Sequence, residues 1–299
     1  MTEKIKLTFL GTSAEIPTAK RNHFSALLTY NEENILVDCG EGTQRQFRKA
    51  FLNPCKITRI LLTHFHGDHI YGLPGLISTL NHSEYTGDLF IYGPKGIKKF
   101  LENFLDLEMK RNFKIVVEEV SGKFFENEKF YLEAEKMEHS VFTNAYNFVL
   151  KDKLRIDKKK LENSGVEPGA FLNELLKGKD VKFAGKKIKF RDLTYLEKGK
   201  KVSFVLDTLD NSKIIPFVKS ADFLVCESTF GKDLVSEAKE KKHLTSIQAA
   251  AIAKKARVKS LALVHVSSRY ENNLKQILDE SKSIFKKSFL VKDLESFNI

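Results

Sequence analysis

The run Ile60-Leu61-Leu62-Thr63 passes directly into His64-Phe65-His66-Gly67-Asp68-His69. Four apolar or β-branched residues read as a buried strand, so metal-type side chains are delivered at a strand end. Imidazoles two residues apart project from one side of an extended segment and can hold one ion. Beyond Gly67, which lets the backbone turn, Asp68 and His69 face a second. Mixed nitrogen and carboxylate donors suit zinc first, with manganese or iron as replacements. Three His and one Asp within six residues, placed directly after an apolar strand, argue against a solvated polar loop.

The rest of the chain reads as strands alternating with helices. Strands are expected at Ile5–Leu10, Phe24–Tyr30 and Asn34–Asp38, then a helix from Thr43 to Leu52 capped by Thr43. The ligand strand follows, then a helix at Leu73–Leu80, a strand at Leu89–Tyr92 and a helix at Lys95–Leu105. Further strands are expected at Phe113–Val120, Phe130–Glu138 and Ala145–Leu150. In the second half, apolar strands Val202–Leu206, Asp222–Cys226 and Leu261–Val264 end at Asp207, Glu227 and His265. Helices near 212–219, 233–242, 246–256 and 271–285 fill the gaps. This alternation predicts an α/β sandwich, and strand-end polar residues are where such folds place their chemistry. The stretch from Gly11 through Pro17 to Asn22 is too long for a plain hairpin loop and is a candidate for function.

Composition narrows the function. Of the 299 residues, 42% are hydrophobic and 30% charged, as in a soluble globular protein. The amino terminus lacks a signal-peptide core and no run reaches transmembrane length, so no membrane is expected. Three scattered cysteines imply no disulfide framework, and the cytoplasm is the natural compartment. A net charge of +11 favours a polyanionic partner. Residues 151–189 carry twelve Lys or Arg against six Asp or Glu, a net of +6, and are rich in Gly. A compact sheet element is not expected there. A surplus of that kind beside a metal site fits an arm gripping a phosphate backbone, with Lys158, Lys159 and Lys160 as its densest charge.

Gly11-Thr12-Ser13, Asp38-Cys39-Gly40-Glu41-Gly42-Thr43-Gln44, Thr63–His69 and His265-Val266-Ser267-Ser268-Arg269-Tyr270 together resemble RNase Z, the tRNA 3′-processing endonuclease, in its short form. The His-x-His-x-Asp-His motif marks only the metallo-β-lactamase superfamily, whereas the second and fourth stretches are more specific. The resemblance implies one four-layer αβ/βα sandwich spanning 1–299, with 151–189 as an inserted flexible exosite arm, and a homodimer. It places His64, His66 and His139 on one zinc, Asp68, His69 and His265 on the other, and Asp207 as the bridge. Arg21, Asn22, Ser267, Ser268 and Arg269 become candidate RNA or phosphate contacts. The departures, such as Cys226-Glu227-Ser228-Thr229 and His243-Leu244-Thr245, spare the acidic and imidazole groups.

The implied reaction removes the 3′ trailer of precursor tRNA by metal-hydroxide attack, leaving a 3′-hydroxyl on the tRNA and a 5′-phosphate on the trailer. Asp68 is the expected proton acceptor, and His243, oriented by Glu227, the expected donor. A small-molecule hydrolase of the same superfamily would share the ligands but not need the basic segment. A β-CASP nuclease would need a further inserted domain, and a non-catalytic RNA-binding protein would not need the full ligand set.

Overall fold

A computed structural model describes residues 4–105, 112–183 and 185–299. Contacts divide them into two compact units, the larger comprising 1–125, 132–148 and 201–299, the smaller 126–131 and 149–200. In the larger unit, β1 (Ile5–Gly11), β2 (Ser25–Tyr30) and β3 (Glu33–Val37) form an antiparallel meander. β4 (Arg59–Leu61), β5 (Leu89–Gly93) and β6 (Ile115–Glu119) extend it in parallel. Between them lie α1 (Thr43–Lys49), α2 (Gly67–Ile70), α3 (Leu73–His82) and α4 (Ile97–Phe104). A second sheet starts with β7 (Gly122–Glu126), β8 (Phe130–Met137) and β9 (Thr143–Leu150).

The smaller unit follows. There β10 (Lys153–Ile156), α5 (Lys158–Asn163), α6 (Leu172–Leu176), β11 (Val181–Phe183), β12 (Lys186–Ile188), α7 (Phe190–Leu193) and β13 (Thr194–Glu197) build two small sheets, β10 with β13 and β11 with β12. Leu161, Leu175, Ile188 and Leu193 bury one another beneath them. The expectation that no compact sheet element forms here is therefore corrected. Lysine density hid a thin apolar set spaced over three short helices and β12, enough to close a miniature core.

The chain returns through β14 (Lys201–Val205), α8 (Ile214–Phe217), β15 (Phe223–Glu227), α9 (Val235–Glu240), α10 (Ser246–Lys255), β16 (Leu261–Val264), α11 (Leu274–Ile284), β17 (Ser288–Leu290) and β18 (Ser296–Asn298). The second sheet has the order β17-β16-β15-β14-β9-β8-β7, and β18 crosses to pair with β1 in the first. The two sheets face each other: the Tyr146 hydroxyl donates to the Leu62 carbonyl at 2.7 Å, and the Tyr30 and Phe148 rings meet at 5.8 Å. Phe47, Leu76 and Ile97 seat α1, α3 and α4 on the outer face of the first sheet. Ile214, Ala249 and Ile277 seat α8, α10 and α11 on that of the second. Each such buried leucine or isoleucine contributes about 1.5–3 kcal/mol.

Two local details differ from expectation. Thr43 is the first helical residue and not the cap: Gly42, at φ 76°, takes that place, and the Thr43 hydroxyl donates to the Gly40 carbonyl. Only glycine enters that left-handed conformation without strain. The strands β7, β17 and β18 were not expected, since three to five residues at sheet edges carry no periodic signal.

Candidate metal centre

Every ligand-type residue singled out in the sequence stands where a strand of one sheet or the other ends. His64, His66, Asp68 and His69 follow β4, His139 follows β8, Asp207 follows β14 and His265 follows β16. Three residues at such ends have left-handed backbones although none is glycine: Asp38 (φ 55°), Asp207 (φ 29°) and His265 (φ 55°). Conformations of that kind cost of order 1–3 kcal/mol each and persist only where the surroundings enforce them. Gly40 explains one close approach. A Cβ there would lie 2.5 Å from the Asp68 carbonyl, so any side chain would push the ligand loop outward.

These residues converge as two donor sets. Ligand atoms of His64, His66, His139 and Asp207 lie within 4.8 Å of one another, as do those of Asp68, His69 and His265. Asp207 reaches both, with Oδ2 3.6 Å from His64 Nε2 and Oδ1 3.3 Å from His265 Nε2. His64 Nε2 lies 3.0 Å from His66 Nδ1, and His69 Nε2 3.2 Å from His265 Nε2. Facing imidazole nitrogens at these distances turn lone pairs toward a shared point, the arrangement a cation resolves.

Outer hydrogen bonds fix which nitrogen each ring presents. Asp38 accepts from His69 Nδ1 at 2.8 Å and from the Thr63 hydroxyl at 2.8 Å, and that hydroxyl contacts His64 Nδ1 at 3.0 Å. His139 Nδ1 donates to the Lys242 carbonyl. His265 Nδ1 meets the Thr229 hydroxyl at 3.0 Å, which donates to Glu227 Oε2 at 2.6 Å. In each of His64, His69, His139 and His265 the Nε2 atom is left for a metal. Sequence reasoning missed Asp38, Thr63 and Thr229 in these roles. Asp38 and Thr63 stand at strand ends, which was a signal; Thr229 carried none.

The donor set fits divalent metal. Asp207 Oδ1 is buried without any hydrogen-bond partner, a penalty that coordination would remove. Burial holds the His64, His66 and His139 pKa values below the ordinary range, so these rings are neutral ligands. Burial also opposes charge on His69, yet the Asp68, Asp207 and Asp38 carboxylates outweigh it and raise its pKa. The same crowd of buried carboxylates favours a divalent cation.

His243 stands beside this centre. Asp207, His243 and His265 form a third group of close donor atoms, but His243 Nδ1 is engaged by Glu227 at 3.1 Å. That engagement leaves the other ring nitrogen for the cleft of about 480 Å³ that His243 lines with His66, Asp68, Tyr71 and His139. Burial lowers the His243 pKa, but Glu227 and Asp207 outweigh it and raise it to about 9. Ser267, Ser268 and Arg269 line an adjoining cavity of about 310 Å³ with Ile16 and Phe230. Arg269 is held by both oxygens of Glu237, at 3.1 and 2.9 Å.

Arg21 is turned inward. Its guanidinium donates to Glu271 and to the Val266 and Ser267 carbonyls, which makes it a clamp on the loop after His265 and not an open phosphate contact. Asn22 donates to the Glu41 carbonyl. In the smaller unit, Lys158, Lys159 and Lys160 are exposed on α5.

Two mixed sheets with a strand-end cluster of His and Asp define a metal-dependent hydrolase of the metallo-β-lactamase fold. The metallo-β-lactamase fold protein YhfI from Bacillus subtilis superposes with a TM-score of 0.73 at 20% identity, covering 100% of both chains. The family described as Anti-Pycsar protein Apyc1 matches residues 5–158, a half that includes His64–His69 and His139 and lacks Asp207 and His265, and the chain belongs with it over that half. Over its whole length it is 40% identical to Ribonuclease Z of Listeria monocytogenes, with 99% of each chain covered. Ribonuclease Z of Oceanobacillus iheyensis is 38% identical, covering 99% of this chain and 100% of that one. The crystal structure of human tRNase Z, short form, superposes with a TM-score of 0.72 at 26% identity and 98% coverage of both. The chain belongs to the ribonuclease Z family.

Proposed function

We propose that this enzyme removes the 3′ trailer from precursor tRNA with two zinc ions per subunit, leaving a 3′-hydroxyl on the tRNA and a 5′-phosphate on the trailer. The observation that carries the reading is the pair of donor sets sharing Asp207, with the His243–Glu227 pair beside them. His64, His66 and His139 would hold one ion, Asp68, His69 and His265 the other, and Asp207 both. When bound, the ions would bring the pKa of water toward neutrality and neutralise phosphate oxygens.

The chain's own residues supply the proton traffic. Burial disfavours charge on Asp68, but His69 and His265 outweigh it and keep its carboxyl ionised; its place beside His265 makes it our candidate acceptor for the proton of the attacking water. His243, protonated and held through Nδ1 by Glu227, can donate from its other nitrogen to the departing 3′ oxygen. The new bond joins water oxygen to phosphorus and the broken one is that to the 3′ oxygen, so the protons balance between Asp68 and His243. Lys158, Lys159 and Lys160 crowd the first turn of α5, where a helix dipole disfavours cations, so their placement supports a role in holding phosphate. We place the enzyme in the cytoplasm as a homodimer; among the described residues, no helix is long and apolar enough to cross a membrane. Mapping the ends produced from a precursor tRNA with a short 3′ trailer tests the reading. Cuts scattered through the tRNA body, or a 3′-phosphate on the tRNA product, would sink it.

A further inference from the structure

A third cavity, of about 580 Å³, opens beside His139 and has no part in the proton traffic above. Its walls are Phe65, Val141, Phe142 and Leu209, and Lys136 and Lys242 stand among the lining residues. His139 and Ser140 line both this cavity and the metal cleft, so the two lie side by side. Phe142 is 44% exposed, which packing alone does not explain. The ammonium groups of Lys136 and Lys95 lie 5.3 and 5.9 Å from the centre of its ring. The Phe65 wall is rigidly backed: its ring stacks on Phe100 at 5.2 Å, Phe100 on Phe104 at 5.3 Å, and Phe104 on Tyr71 at 6.0 Å.

An apolar slot by itself fits many occupants. A slot of this volume with one exposed aromatic ring flanked by two lysines, beside a phosphodiester-cleaving centre, fits a nucleobase. The base stacks on the ring while the mobile lysines meet the phosphate that follows it. The side of the cut follows from the proton donor. His243 also lines the cavity of about 310 Å³ with Phe230 and Ser267, on the side away from the slot, so the nucleotide carrying the departing 3′ oxygen is assigned there. The slot beside His139 is left for the nucleotide whose 5′-phosphate is cut. Resting on the endoribonuclease reading above, we infer that Phe142 and its cavity form a base-stacking subsite for the first nucleotide of the trailer.

The test couples an enzyme change to a substrate change. Precursor tRNAs with a natural or an abasic first trailer nucleotide are cleaved by the parental enzyme, Phe142→Ala and Phe142→Trp, each checked for metal content and circular dichroism. The parental enzyme should lose roughly tenfold in kcat/KM on the abasic substrate, the worth of one base stacked on an aromatic ring. Phe142→Ala should cut the natural substrate about as slowly and show no further loss on the abasic one, and Phe142→Trp should restore the discrimination. An abasic penalty of equal size in the parental enzyme and in Phe142→Ala would overturn the assignment, as would coupling only at the second trailer position. Failure of the underlying reading shows separately, as precursor left intact by the parental enzyme.

Discussion

At the scale of single residues, removing a ligand and removing a proton donor should fail in different ways. Asp68→Ala deletes a donor atom and the proton acceptor together, so metal content by atomic emission and single-turnover cleavage should both fall. His243→Ala should keep its metals and slow cleavage by roughly 10²–10⁴-fold, the usual worth of one general acid; parental rates from that variant would remove the donor assignment. The pH profile provides a sharper check. Because His243 must be protonated and its pKa is raised to about 9, chiefly by Glu227 once burial is overcome, cleavage should decline above about pH 9. Glu227→Gln removes the carboxylate that raises it, so the basic limb should move to lower pH. A limb that does not move assigns that ionisation elsewhere. Asp38 touches no ion in this scheme, yet it orients His69 directly and His64 through Thr63. Asp38→Asn should weaken zinc binding by about 10- to 100-fold in competition with a chromophoric chelator, the cost of losing an outer hydrogen-bond partner of a ligand.

Among the elements, the smaller unit offers the cleanest excision. The Leu150 amide donates to the Lys200 carbonyl at 2.8 Å, so the two strands that enter and leave the unit are already neighbours. Replacing residues 151–199 by a short turn respects that pairing, whereas a cut inside β10 would strand β13 without its partner. The deletion should weaken precursor tRNA binding and flatten its dependence on salt, since fewer counterions are released. An unchanged salt slope in a folded, metal-loaded deletion would remove the arm from RNA binding. The same elements mark where the sequence could be read. Strands such as Leu261–Val264 announced themselves by apolar runs ending in a ligand-type residue, and that these residues would converge was legible because such folds carry polar groups at strand ends. β11 and β12 were not, because Val181-Lys182-Phe183 and Lys186-Lys187-Ile188 are half lysine and pair only through tertiary context. The inward turn of Arg21 was equally hidden, since only the fold brings Glu271 and the Val266 carbonyl to it.

For the molecule as a whole, the metal centre joins the sheets. One group of candidate ligands follows β4 of the first sheet, and His139, Asp207 and His265 follow strands of the second. Ions held there would cross-link the sandwich at one end, and binding to the folded state alone would stabilise it. Excess EDTA should lower the melting temperature and abolish cleavage. Amide exchange should accelerate around residues 63–72, 207–211 and 265–270 while α10 and α11 stay protected. Uniform acceleration across the chain would mean that the ions hold the whole fold and not this end.

The pairing of β1 with β18 sets a further condition, one that concerns time. Lys6 lies opposite Asn298, and Phe297 packs between Phe9 of the first sheet and Phe223 of the second. The edge partner of β1 is thus a strand made nearly 300 residues later. At roughly 5–20 residues per second, synthesis leaves that edge open for about 15–60 s. Throughout that interval β1 offers unpaired backbone groups to any neighbouring chain on the same messenger. His265, which closes the second donor set, lies about as far along the chain, so neither the sheet edge nor the donor sets can be completed until those residues have emerged from the ribosome.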